Sequence, residues 1–95
     1  MKTGDAALNK KLDCYFSMTE KALTLVKIAP DADKRHAGDF LFMAKNYLSD
    51  ARHFRKNGDL LTALASVSYA HAWLDAGARI GLFEVDNSAN LFTVD

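Results

Sequence analysis

One cysteine and one proline are all that this 95-residue chain holds of either residue, and each scarcity excludes something. Cys14 alone cannot close an internal disulfide, so the fold must stand without covalent staples, as expected in a reducing compartment. No apolar run reaches the ~18 residues that a membrane span needs, and the N-terminus lacks a signal-peptide core. The expectation is therefore a cytoplasmic protein with no membrane partner. Charge of one sign is missing too. Twelve Lys and Arg balance twelve Asp and Glu, which leaves no obvious tail for nucleic acid or a membrane surface. What the chain does hold is apolar: 49% of its residues are hydrophobic. That composition reads as one globular domain, too apolar for disorder and long enough to bury roughly two-thirds of its unfolded surface.

The few breakers divide the chain. Pro30, in Ala29-Pro30-Asp31, stops a preceding helix through its fixed φ and missing N–H, and Asp31 or Asp33 then caps the next. Asn57-Gly58-Asp59 is the second break, with Gly58 suited to a left-handed position after a helix and Asp59 to an N-cap. Gly81 ends the third helix in the same way. Helices are expected over about 5–29, 32–57 and 59–80. The domain reading is a bundle over 1–83 and an irregular tail over 84–95, packed on the bundle or on a neighbouring subunit.

Periodicity supports this division. Leu8, Leu12, Tyr15, Thr19, Ala22, Leu23 and Val26 share one face of the first helix, opposite Asp13, Ser17, Glu20, Lys21 and Thr24. The second helix gathers Phe40, Ala44, Tyr47, Leu48, Ala51 and Phe54. Strict alternation is absent, so no strand is expected before the tail. The third helix is apolar around most of its circumference, through Leu60, Leu61, Ala63, Leu64, Ala65, Val67, Ala70, Ala72, Leu74, Ala76 and Ala78. It needs two partners, and Ala63, Ala70 and Gly77, seven residues apart, let a neighbour come close. Short connections favour antiparallel neighbours. The fold class is all-α: an up-down-up three-helix bundle, with the third helix the most enclosed.

The segment from Ala51-Arg52-His53-Phe54-Arg55-Lys56-Asn57-Gly58-Asp59-Leu60 to Tyr69-Ala70-His71-Ala72-Trp73-Leu74-Asp75-Ala76-Gly77-Ala78-Arg79-Ile80-Gly81-Leu82 resembles an archaeal family known as domain of unknown function 357. The likeness runs from about Tyr47 to Val85. It implies a small, soluble helical protein of archaeal, cytoplasmic origin, and it implies no mechanism. The Arg-x4-His motif of helical nucleotide-binding and nuclease bundles is absent.

No phosphate loop, Cys-x-x-Cys, His-Glu-x-x-His or Gly-x-Ser-x-Gly motif occurs, so no catalytic residue and no cofactor is assigned. Asp50 with His53, and His71 with Asp75, have the spacings of bundle metal sites. Pivoting the hairpin at Gly58 nevertheless separates the two histidines by ~12 Å along the axis, and no metal site is expected. His71, Asp75 and Arg79 form a polar ribbon on the third helix, read mainly as a structural ladder with His71 hydrogen-bonded in the core. Cys14 is read as an inert, buried or half-buried thiol.

Two surfaces remain. Phe42, with Asn46 near it, projects away from the core-facing Phe40, while Trp73 lies on the less apolar side of the third helix. Met18 and Leu25 form a shoulder on the first. These five residues are the candidate partner-binding set, for a second copy or another protein. Leu82, Phe83, Val85, Leu91, Phe92 and Val94 of the tail compete to cover them. The alternative surface is the basic end of the second helix, where Arg52, Arg55 and Lys56 suit RNA or a nucleotide. Positive charge there also complements a helix C-terminus, and nucleic acid is not the favoured partner. The functional expectation is a non-enzymatic interaction or self-assembly module.

Overall fold

The computed structural model describes residues 3–92 (for Thr3, the backbone alone); Val94 lies outside them. Among the described residues the chain forms helices α1 (Thr3–Leu25), α2 (Lys34–Lys56) and α3 (Leu60–Arg79). Two short strands, β1 (Lys27–Ile28) and β2 (Phe83–Glu84), pair antiparallel with Lys27 opposite Glu84 and Ile28 opposite Phe83. The protein is an all-α three-helix bundle.

The helix ends follow local chemistry. Asp33, not Asp31, is the N-cap of α2, its carboxylate accepting from the Arg35 and His36 N–H groups. Asp59 accepts from the Thr62 N–H and opens α3. Gly58 and Gly81 adopt φ values of 83° and 84° just beyond the ends of α2 and α3, where a side chain would meet steric strain. α1 stops at Leu25, short of the expected residue 29. The residue before Pro30 is biased away from helical geometry, and the chain from Lys27 instead pairs with β2, sealed by the Ala29 N–H donating to the Leu82 carbonyl at 2.9 Å. This corrects the expectation of no strand before the tail. Two residues are too few for alternation to register.

α3 is the middle helix. It packs closely against both α1 and α2, while those two reach each other mainly through long side chains. The molecule measures 50 × 25 × 16 Å, and three helices spaced ~8–10 Å apart in a shallow layer account for the 25 Å width. Packing runs in two clusters along the axis. Leu12, Phe16, Leu48, Ala51, Ala63, Val67 and Ala70 form the first. The second gathers Ala22, Ala37, Ala44 and Leu74 around Phe83 and Phe92, so residues from beyond α3 complete that end of the core.

Of the small residues spaced by seven on α3, Gly77 permits the closest approach. A Cβ built on it would collide with the Phe83 ring. Phe83 therefore lies directly on the helix backbone and is 4% exposed. The expected enclosure of α3 is incomplete: Leu61, Ala65, Ala72 and Ala76 are exposed. They sit on the side away from the core residues Ala63, Val67, Ala70 and Leu74, and neither flanking helix reaches round to them.

Candidate functional site

Three features bear on function: a histidine junction, an ion-paired groove and an uncharged helix face. The junction centres on half-buried His71. Its Nε2 lies 2.7 Å from the Leu91 carbonyl oxygen. Because a carbonyl only accepts, Nε2 carries a proton. Nδ1, on the other side of the ring, is placed to accept from the Thr19 hydroxyl at 3.2 Å. One imidazole thus ties α1, α3 and the tail together, and the Phe92 ring stacks on it at 6.3 Å. The tail holds its own shape. The Asn87 side-chain amide donates to the Phe92 carbonyl at 3.1 Å and accepts from its N–H at 3.0 Å, closing the loop like a short β-pair.

A hydroxyl against an oriented imidazole has the outline of an activated nucleophile. Thr19, however, is 1% exposed. The cleft beside it, about 260 Å³ and lined by Tyr15, Met18, Thr19, Val67, Ser68 and His71, is largely apolar. The arrangement builds a joint. Asp75 and Arg79 continue along the same helix, half-buried and exposed respectively.

The groove lies between α1 and α2, about 700 Å³, with Phe16 among its lining residues. Arg52 donates to Glu20 at 3.0 Å. Arg55 donates to Asp13 at 2.6 Å and to both the backbone and side-chain oxygens of Asn9, and its guanidinium sits 5.6 Å from the Phe16 ring centroid. Sequence reading placed these arginines on a basic patch; their acidic partners, more than thirty residues away, carried no local signal. Lys56 lines the same groove. Phe16 itself was missed as a core residue, although Leu12, Phe16, Thr19 and Leu23 follow helical spacing and could have revealed it.

The five candidate partner-binding residues do not form one patch. Phe42 is 61% exposed, and Asn46 is exposed one turn further along α2. Trp73 is half-buried, edge-on to Phe40 with centroids 4.9 Å apart. Met18 lines the histidine cleft, and Leu25 packs into the second core cluster. Cys14 departs from its expected burial: it is exposed, its Sγ 3.9 Å from the Met18 Sδ. Among the described residues no group of three or more His, Cys, Asp or Glu is placed to hold a metal ion. No helix among them is long and apolar enough to cross a membrane.

The third feature had no place in the candidate set. On the outer side of α3, Leu61 is 72% exposed, Tyr69 61% and, just past the helix, Ile80 64%. They frame exposed Ala65, Ala72 and Ala76. Tyr69 is held by stacking on Tyr47 at 5.2 Å. More than half of the exposed positions of α2 carry a formal charge; of those on α3, only Arg79 in its last turn does.

The class is thus a small all-α helical bundle. Residues 14–83 match the family described as Protein of unknown function (DUF357), and the chain belongs to that family. No curated protein and no solved structure matches it.

Proposed function

We propose that the chain is a non-catalytic helical interaction module that docks its partner on the outer face of α3. The observation that carries this reading is the contrast in exposed charge between α2 and α3. Solvent-facing helix surfaces are ordinarily rich in charge, and a contiguous apolar surface framed by Leu61, Tyr69 and Ile80 is the signature of a contact. Phe42 and Asn46 on α2 are available as a further contact. Met18, Leu25 and Trp73 are engaged mainly in the chain's own packing. The nucleic-acid alternative draws less support, because Arg52 and Arg55 already neutralise Glu20 and Asp13.

Ala72→Lys tests the reading. The position is exposed and lysine is a good helix former, so circular dichroism should show an intact fold. Light scattering after size exclusion, together with capture from an extract of the native host, should show an association in the wild type that the variant loses. A wild-type chain that stays monomeric and retains no protein the variant fails to retain would sink the proposal.

A further inference from the structure

We infer that the partner is a second copy of this chain, paired antiparallel along α3 about a two-fold axis between Ser68 and Tyr69. The inference rests on the interaction-module reading and adds the partner and the register. Three observations carry it.

The first is fit. A two-fold pairing brings the same surface patch of each copy together. With the axis between residues 68 and 69, Leu61 of each copy lies over Ala76 of the other, and Ala65 lies over Ala72. A large side chain thus meets a small one, and where small meets small the backbones can approach closely.

The second is charge. Of the exposed positions of α3 only Arg79, in the last turn, carries a formal charge, and Asp75 at the edge of the face is half-buried. In the antiparallel register the Arg79 residues of the two copies stand ~31 Å apart along the axis and do not repel each other. The helix dipoles also run in opposite directions.

The third is area. The exposed fractions of Leu61, Tyr69 and Ile80, with the alanines and Ser68 between them, amount to roughly 600 Å² per copy if a large apolar side chain presents ~200 Å² when free. The pair then buries at most about 1,200 Å², at the lower bound for a stable specific interface. An interface of that size fits a reversible rather than an obligate dimer.

The test uses the full chain in a Cys14→Ser background. Under mild oxidation Ser68→Cys, at the axis, should form a covalent dimer. Leu61→Cys alone should not, because its two copies stand ~22 Å apart along the axis, but a mixture of Leu61→Cys and Ala76→Cys should cross-link. Sedimentation velocity should show the unmodified chain dimerising between about 5 and about 500 µM, and Ala72→Lys should weaken this by at least about tenfold, a loss of ~1.4 kcal/mol. A chain that is monomeric throughout that range overturns the self-pairing. If that monomer still retains another protein that Ala72→Lys loses, the module reading survives; if it retains none, both fall. A dimer that is insensitive to Ala72→Lys and yields no Ser68→Cys cross-link overturns pairing through this face.

Discussion

Adding one methyl group at Gly77 should destabilise this protein, although the same change elsewhere on its helices should stabilise it. Alanine in place of glycine inside a helix ordinarily gains up to ~1 kcal/mol. At Gly77 the new Cβ occupies space held by the Phe83 ring. If the ring shifts within its site, a clash this deep puts overpacking in the upper part of its range, about 2–3 kcal/mol. If it leaves, its burial is lost at about 2–3 kcal/mol, and the β1–β2 pairing loosens with it. Set against the propensity gain, the net loss is about 1–2 kcal/mol, or a fall in Tm of about 5–10 °C for a domain of this size. Gly38 is the control. It is an exposed position in α2 with nothing within 4 Å of a built Cβ, so Gly38→Ala should raise stability by about 0.5–1 kcal/mol. Urea unfolding followed at 222 nm would measure both variants. Equal stabilisation by the two would refute the close contact between Phe83 and α3.

Three further outcomes follow from the same geometry. Phe92→Ala, which empties a site 4% exposed in the folded chain, should cost about 3 kcal/mol or more, and limited proteolysis should then cut the segment after Val85; an uncut, fully stable variant would contradict tail docking. Arg55→Ala should destabilise by ~1–2 kcal/mol, because that side chain is largely covered and bonds three oxygens, whereas Arg52→Ala, whose ion pair is half-exposed, should stay within ~0.5 kcal/mol; equal losses in thermal unfolding would count against the difference in burial. The Asp86 carboxyl is held below its ordinary 3.8 by the Ser88 backbone N–H and then by the Ser88 hydroxyl. A depressed acid contributes to stability above its unfolded value and ceases to as pH falls through the folded one, so the Ser88 amide resonance should move with a midpoint below 3.8, and a midpoint at or above that value would remove the turn.

How much of this was legible beforehand divides along chain distance. Pro30, Gly58 and the aspartates beside them act on their own neighbours, so the helix boundaries could be read to within a few residues, and the all-round apolarity of residues 60–78 identified the middle helix. The groove was not legible, because the pairing of Arg55 with Asp13 depends on how two helices separated by a third are set. The tail was read as irregular because two strand residues and an Asn87 clamp leave no periodic trace. The open face of α3 was hidden by the assumption that an apolar residue on a crowded helix must be covered by its own chain. His71 sat between: its position on the apolar side suggested a satisfied core histidine, but its partners, Thr19 and the Leu91 carbonyl, come from opposite ends of the sequence.

In the proposed dimer two copies of the chain meet on the outer surface of α3. Amide resonances of the labelled chain, recorded on dilution from about 500 to about 10 µM, would report on it directly. Concentration-dependent shifts confined to residues around Ala65, Ser68, Ala72 and Ala76 are the predicted result. Shifts that cluster instead around Arg52 and Arg55, or a spectrum that does not change at all, would contradict it.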